Sequence, residues 1–380
     1  MWVGQLKVKI DAENMGIGVF DPETGRHIRT SLLKVPSVVE LHEVVSNLWY
    51  NTSGNMVNIM DDPFSFSYPD LADIGIMGRC EHNDCKFCYA KNNYGKNMSV
   101  EDYKVLMDLL GEHLNEVALG GYGDPNKHMF FQDILSTTRL NGVVPNYTTS
   151  GNGITDREVS LTKEYCGAVA VSMHKQDYTW AAIRSFQESK TLTNIHLIVM
   201  KSNMSSILDI MEGRCPNGWS VDFDAINAVI LLSLKPIGMA SSMMEESPTQ
   251  ADFCRLIEAM DKGKALCQIG VDPCWADQLF RHSKLSNLPV NMSSCDGARF
   301  SVYIDVDMRA YPCSFMKHDK NDGVDIRGKT WNEVWNSNEF VSFRNKIVSS
   351  CQDCTVKKLC NGGCHGISNL TLCKERTYSS

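Results

Sequence analysis

The chain has 380 residues, 43% of them hydrophobic, and a formal net charge of −8. A chain of this size can bury a large core, so we expect one large domain and a smaller one. The acidic balance without a basic run disfavours a nucleic-acid partner. The lack of a long apolar stretch or signal-peptide pattern argues against a membrane partner and for a cytoplasmic location.

The fifteen cysteines are the most informative feature of the composition. In a reducing compartment they indicate metal binding rather than disulfides. Ten of them fall in two clusters, at residues 80–88 and 295–373. The others are expected to be small buried hydrophobic residues; they are Cys166, Cys215, Cys254, Cys267 and Cys274.

Residues 1–70 are predicted to form a small β-rich segment. Apolar and polar residues alternate over 6–10, a second strand follows at 16–20, and residues 21–25 have the composition of a turn. Residues 41–50 can form a short helix. The segment contains no motif, so we expect it to cover the rest of the protein.

From residue 71 onward, short apolar runs alternate with amphipathic helices. Strands are predicted at 72–77, 116–119, 143–149, 168–173, 195–200 and 228–234. This alternation predicts parallel strands with right-handed crossovers, in a barrel or an open sheet, with ligands at the carboxyl ends of the strands.

Ser99 and Asp102 resemble a capping box. For the helix near 249–262 we expect Ser247 as N-cap and Pro248 as first residue. Residues 263–294 have no clear periodicity.

A loop with three cysteines follows the first of these strands. Cys80, Cys85 and Cys88 are separated by four and then two residues. Three thiolates on one short loop can hold three corners of an iron–sulfur cluster and leave one iron open for a substrate or cofactor. The alternative for this loop alone is a zinc knuckle with a fourth ligand such as His82.

Two turns follow the next two predicted strands. The first contains Gly120, Gly121 and Asp124; its glycines allow close approach of the backbone to a ligand, and the carboxylate can hold a cationic amine. Its spacing is not that of a dinucleotide-binding fingerprint. The second turn contains Ser150 and Asn152. We expect both turns and the cysteine loop to lie together at the carboxyl ends of the strands.

The second cysteine cluster lies in the C-terminal region. Residues 299–305 and 306–311 are predicted to form a hairpin, and residues 331–347 a helix. Seven cysteines surround these elements: Cys295, Cys313, Cys351, Cys354, Cys360, Cys364 and Cys373. They can supply most of the ligands for two four-iron clusters, or the ligands of nearly two zinc ions, and their spacing alone does not separate iron from zinc.

Together, residues 71–373 resemble the radical S-adenosylmethionine (SAM) enzymes that carry a C-terminal SPASM domain. The family's Cys-x3-Cys-x2-Cys motif has an aromatic residue before the last cysteine, a place that Phe87 fills, although the first gap here is four residues. The resemblance implies an α/β protein with a partial (β/α)6 TIM-like barrel at 71–262. A β-rich segment at 1–70 precedes the barrel, and a bridging region at 263–294 leads to the SPASM domain at 295–380.

The resemblance also implies the cofactors and their ligands. SAM would be bound by Phe87, Gly120, Gly121, Asp124, Ser150, Asn152, Ser172 and Pro236. Three 4Fe-4S clusters would be present, the SAM-binding one on Cys80, Cys85 and Cys88. The inner auxiliary cluster would be held by Cys295, Cys313 and Cys364, and the outer one by Cys351, Cys354, Cys360 and Cys373. The fourth ligand of the inner cluster could be Cys274 or Cys267, or that iron could be open. Met308 stands where the family usually has glycine.

The implied activity is that of a radical SAM oxidoreductase or maturase. It would generate a 5′-deoxyadenosyl radical and abstract hydrogen from a peptide or protein, with side-chain or backbone oxidation or cross-link formation as the outcome. A flavodoxin- or ferredoxin-type reductant would be a partner. The alternatives are a small-molecule radical SAM dehydrogenase, a sulfatase-maturase-like enzyme and a non-enzymatic zinc scaffold. His174 and His365 are candidates for proton transfer, although a structural role is expected for both.

Overall fold

The computed structural model describes residues 1–51, 65–81, 85–90, 95–174, 176–282, 294–318, 322–349, 360–367 and 370. Its strands are β1 Trp2–Val3, β2 Leu6–Asp11, β3 Gly16–Phe20, β4 His27–Ser31, β5 Leu71–Met77, β6 Glu116–Gly121, β7 Val144–Thr149, β8 Val169–Ser172, β9 Thr193–Val199, β10 Ala228–Ser233, β11 Gln268–Val271, β12 Ser301–Ile304, β13 Arg309–Tyr311 and β14 Val324–Asp325. Its helices are α1 Val38–Asn51, α2 Val100–Leu110, α3 Phe131–Leu140, α4 Asp156–Tyr165, α5 Asp177–Glu188, α6 Met204–Met211, α7 Gln250–Asp261, α8 Ala276–His282, α9 Trp331–Trp335 and α10 Asn338–Ser349.

The N-terminal segment is a four-stranded antiparallel sheet in the order β1-β2-β3-β4, followed by α1. Alternate residues of β2 and β3, such as Val8 and Ile17, are buried and pack with Leu41 and Val45 of α1. This confirms the β-rich segment and its helix. The sheet also contains β1 and β4, which are too short or too polar to stand out in the sequence.

The rest of the chain is built on a ten-stranded sheet in the order β11-β10-β9-β8-β7-β6-β5-β12-β13-β14. Strands β5 to β11 are all parallel to their neighbours, as the alternation of apolar runs and helices predicts. On the other side of β5, β12 pairs with it in parallel, and β13 and β14 return antiparallel. The α/β fold class is therefore confirmed. Residues 263–294, which had no clear pattern, contribute the parallel strand β11 and α8.

The parallel strands of the large sheet pack one face against the helices. We call the opposite face of these strands the interior face. On β5, Ala72, Ile74 and Ile76 are buried in the main core, where they meet α2 residues such as Tyr103 and Leu106. Ser99 is the N-cap of α2, as the sequence predicts, and its side chain accepts a hydrogen bond from the Asp102 amide. The capping box is only half formed, because the Asp102 carboxylate accepts from the Ser99 hydroxyl and not from the Ser99 amide. The same core continues into the C-terminal region through Trp335 and Phe340.

Two helix predictions are wrong. The N-cap of α7 is Thr249 rather than Ser247, and Pro248 lies outside the helix, because the side chains of Thr249 and Asp252 each bond the other's backbone amide in a complete capping box. The helix expected at 331–347 is two helices, α9 and α10. The carbonyl of Trp335, freed by the break between them, accepts a hydrogen bond from the Arg344 guanidinium at 2.6 Å.

Within the described ranges, no helix has the length and apolar character needed to cross a bilayer.

Candidate cofactor and metal site

The cysteine loop lies where β5 ends, and it is fixed against the segment that follows β10. The amide of Cys88 donates to the Cys85 carbonyl at 3.0 Å, which closes a tight turn between two of the predicted ligands. The Ala240 amide donates to the Cys88 carbonyl at 3.0 Å. At Gly238, with φ near 61°, a Cβ atom would lie 2.0 Å from the Tyr89 oxygen, so only glycine permits this contact.

His174, just after β8, lies beside the same loop. Its Nδ1 is 3.9 Å from the Cys85 sulfur, and its ring centroid is 5.3 Å from that of Phe87. The second histidine candidate, His365, is 4% exposed and bonded to the Asn361 carbonyl at 2.7 Å, as expected for a structural residue. His174 therefore belongs to the surroundings of the predicted SAM-binding cluster, whereas His365 belongs to the core of the C-terminal region.

The glycine turn at the end of β6 packs against the strand that leads into the cysteine loop. A Cβ atom at Gly121, where φ is 119°, would lie 2.4 Å from the Met77 oxygen, and one at Gly123 would lie 2.5 Å from the Arg79 oxygen. Around Gly120, by contrast, no heavy atom of the other described residues, its two chain neighbours aside, lies within 4 Å of the Cβ position. Gly120 thus borders open space that a ligand can enter, while Gly121 and Gly123 allow two backbone segments to touch.

Two predicted SAM contacts from different strands meet directly. The Asp124 carboxylate accepts hydrogen bonds from the Ser150 amide at 2.8 Å and from the Ser150 hydroxyl at 2.5 Å. The Asn152 amide then donates to the Ser150 hydroxyl at 3.2 Å. A carboxylate has about four acceptor sites, so Asp124 retains capacity for a cationic amine. The remaining predicted contacts, Ser172 and Pro236, end β8 and follow β10 at the same edge of the sheet.

The interior face of the parallel strands carries polar groups that the sequence analysis missed. Asp73 on β5 is exposed, yet the protein atoms packed around it still desolvate its carboxyl and raise its pKa to about 6. Glu116, bonded to Asn146, has its pKa raised to about 7 by burial, and burial lowers the pKa of His196 to about 4. The sequence contains a signal for this polar face, because these residues stand at alternate positions in strands that are otherwise mostly apolar.

In the C-terminal region, the structure favours Cys274 over Cys267 as a partner of the inner-cluster cysteines. Cys274 and Cys364 are hydrogen-bonded to each other, and both lie in a small apolar cluster with Phe315. Cys267 precedes β11, whereas Cys274 follows its opposite end. Burial raises the pKa of the Cys295 thiol to about 12, so ligation through its thiolate requires the positive charge of a bound metal.

Among the described residues, no three His, Cys, Asp or Glu side chains are grouped so as to hold a single metal ion. The thiols of a four-iron cluster bind different iron atoms and therefore surround a volume rather than a point. Cys313 lies near Cys364, its predicted partner in the inner cluster. The sulfur of Cys313 is 3.8 Å from the Cβ position of Gly366, two residues beyond Cys364.

Several sequence predictions lie outside the described residues, namely Cys351, Cys354, Cys373 and the alternative ligand His82. Cys360 is described and buried, at 6% exposure. Met308, at the tip of the β12–β13 hairpin, adopts φ near 59°, which is the left-handed conformation that favours glycine. The Asp305 carboxylate stabilises this turn by accepting the amides of Asp307 and Arg309 at 2.9 and 3.1 Å.

The two candidate fourth ligands provide a matched test. If Cys274 is the fourth ligand, Cys274→Ala is expected to destabilise the inner cluster and to lower the iron content by about four atoms per chain, because a buried cluster built on four thiolates loses one of them. Cys267→Ala is expected to leave the iron content unchanged. Iron and sulfide analysis after anaerobic reconstitution measures both. Full iron content in Cys274→Ala would show that this thiol is not a ligand.

Comparison with known proteins agrees with this arrangement. Residues 295–355 match the SPASM family, an iron–sulfur cluster-binding domain. Streptococcus suis SuiB bound to S-adenosylmethionine superposes with a TM-score of 0.69 at 13% identity, over 96% of this chain and 95% of SuiB. SuiB bound to the precursor peptide SuiA gives 0.68 at 14% identity, over 95% of this chain and 94% of SuiB.

A third similar structure is native anSMEcpe with bound AdoMet and Cp18Cys peptide, with a TM-score of 0.58 at 17% identity, over 78% of this chain and 90% of anSMEcpe. No curated protein sequence matches the chain. At these identities the likeness concerns the fold. The chain therefore has the fold of SuiB and anSMEcpe and carries a SPASM iron–sulfur cluster-binding domain, as the resemblance to the radical SAM SPASM enzymes implied.

Proposed function

We propose that the protein is a radical SAM enzyme that oxidises a peptide or protein substrate. The observation that carries this proposal is the convergence of three segments at one edge of the sheet. Three features lie beside one another: the cysteine loop after β5, the open position at Gly120 near the end of β6, and the pair of Asp124, which follows β6, with Ser150, which follows β7. Ligands of parallel sheets bind at this edge.

The residues present fit the cofactors that this activity requires. Cys80, Cys85 and Cys88 offer three thiols on one loop, which leaves one iron of a 4Fe-4S cluster for SAM. Asp124 would hold the amine of SAM. Because Gly120 has no side chain, SAM could approach the backbone closely there. When bound, the cluster and SAM supply a carbon-centred radical that removes a hydrogen atom from an unactivated carbon.

The interior face of the parallel strands would hold the reacting part of the substrate. Asp73, with its pKa raised to about 6, is suited to accept a proton near neutral pH. Tyr89 and Tyr303 lie near enough to Asp73 for its charge to add to the effect of burial, which raises the pKa values of their hydroxyls. These side chains would orient the substrate and limit the access of water.

Three considerations favour a peptide over a small molecule or RNA. SuiB is known in complex with its precursor peptide and anSMEcpe with a peptide, and both share this fold. The net charge of −8 disfavours a phosphate backbone. The N-terminal sheet ends in an edge strand, β4, to which an extended peptide could add as a further strand. A flavodoxin- or ferredoxin-type protein would supply electrons.

The proposal is tested on anaerobically reconstituted protein. We expect about twelve iron and twelve sulfide per chain, because ten cysteines form three ligand groups. With reductant and SAM, 5′-deoxyadenosine should form, and deuterium from a labelled peptide encoded beside the protein should appear in it. Zinc in place of iron would exclude the radical activity. Transfer of label from a free sugar or amino acid, but from no peptide, would replace the peptide proposal with a small-molecule dehydrogenase.

A further inference from the structure

A buried ion pair lies between the end of β10 and the end of β11. Lys235 is 7% exposed, and its ammonium donates to the Asp272 carboxylate and, at 2.5 Å, to the Ser233 hydroxyl. Burial opposes the charge of Lys235, but the adjacent carboxylate outweighs it and holds the pKa of Lys235 above its usual value. The side chain is therefore a permanent buried cation. Nothing in the proposed chemistry at the SAM edge uses it.

This ion pair is joined to the cysteines of the inner cluster from two sides. The second oxygen of Asp272 accepts the Cys274 amide at 2.9 Å and so caps the short turn that carries this thiol. The Lys235 ammonium is also 4.9 Å from the centroid of the Phe315 ring, which packs with Cys364 and Cys274 and stands two residues after Cys313. A positive charge thus borders the volume that these cysteines surround.

We propose that Lys235 is a positioning residue for the inner auxiliary cluster: its buried ammonium raises the reduction potential of the cluster held by Cys274, Cys295, Cys313 and Cys364, and through Asp272 it fixes the fourth ligand. This inference rests on the proposed function only in requiring that the inner cluster exists.

The physical reason is the charge of the cluster. One-electron reduction adds a negative charge, and a nearby cation in a low-dielectric interior favours the reduced form. The negative charge of Asp272 works against this but is shared among several donors. They are Lys235, the amide and hydroxyl of Ser233 at 3.2 and 2.7 Å, and the Cys274 amide. Removal of the Lys235 charge alone leaves the negative charge of Asp272 beside the cluster, so the surroundings of the cluster become more negative and the reduced form is disfavoured.

The test is a redox titration followed by electron paramagnetic resonance on full-length, anaerobically reconstituted protein. The Lys235→Met variant keeps most of the length of the side chain and removes its charge, whereas the Lys235→Arg variant keeps the charge. Lys264→Met is the matched control, because Lys264 is exposed and precedes β11 at the end opposite Asp272. At a fixed potential we expect the ratio of reduced to oxidised inner cluster to fall about tenfold in Lys235→Met, a shift of about −59 mV. Lys235→Arg should largely restore it, and Lys264→Met should match the wild type.

Lys235→Met leaves the Asp272 carboxylate without its cation and can fail to fold. The double variant Lys235→Met/Asp272→Asn avoids an unpaired buried charge while keeping an acceptor for the Cys274 amide. Because it removes both charges, its inner-cluster potential should lie between those of the wild type and Lys235→Met. The proposal is overturned if no potential shifts, if all clusters shift equally, if only the melting temperature changes, or if wild-type protein holds no cluster on these cysteines. None of these measurements requires SAM cleavage, so a failure of the proposed enzymatic activity is recorded separately.

Discussion

Cys85→Ala is expected to reduce the formation of 5′-deoxyadenosine to background. Cys85 closes the turn with Cys88 and lies against His174, and a cluster with only two thiolates on this loop would not be retained. The measurement is chromatographic detection of 5′-deoxyadenosine after incubation of reconstituted protein with SAM and a reductant.

The matched control for this variant is Cys215→Ala. Cys215 is exposed and lies outside both predicted cysteine clusters, so its removal should leave SAM cleavage unchanged. Continued cleavage by Cys85→Ala would mean that another part of the chain holds the catalytic cluster. The gap of four residues between Cys80 and Cys85, where the family has three, makes this variant an informative one.

Arg29→Met is expected to lower the free energy of unfolding by about 3–5 kcal/mol, the usual effect of breaking a buried ion pair. The Arg29 side chain is 6% exposed and donates to both oxygens of Asp70, at 2.9 and 2.7 Å, and to Asp296 at 3.2 Å. It therefore joins β4 to the start of β5 and to the residue that follows Cys295. Its removal leaves two carboxylates without their cation, one of them fully buried.

Urea unfolding measures this effect, with Arg327→Met as the control. Arg327 pairs with Asp325 at the surface, where its side chain is 56% exposed, so the change there should stay within about 0.5 kcal/mol. Burial works against ionisation of Asp70, but Arg29 outweighs it and lowers the pKa of this carboxyl. The pair thus stabilises the protein above the unfolded pKa of about 3.9, and the difference between wild type and Arg29→Met should shrink as the pH falls below that value. Equal losses in both arginine variants would contradict a special role for the buried pair.

The parts of the fold that follow from local pattern could be predicted, and those that depend on distant partners could not. The apolar runs that become β5 to β10 are long enough to be recognised alone, and the cysteine spacings indicated candidate metal ligands. The Arg29 contacts join residues 41 and 267 positions apart, which no local pattern records.

The contrast between local pattern and distant partners also explains which site residues the sequence predicts and which it misses. Asp124 and Ser150 each follow a recognisable strand, so their meeting at one edge could be expected. The choice between Cys274 and Cys267 stayed open because both lie where the sequence has no period. Lys235 stands beside Pro236, a predicted SAM contact, but its pairing with Asp272 depends on β10 and β11 lying side by side, which no local pattern records.

The parallel pairing of β12 with β5 makes the cluster-binding C-terminal region inseparable from the sheet it follows. Residues 301–304 cover the backbone of residues 71–74. A fragment ending before residue 300 would therefore present β5 as a bare edge of unpaired amides and carbonyls, which promotes association between copies. Grafting this C-terminal region onto another barrel would accordingly require a matched strand register as well as a matched set of cysteines.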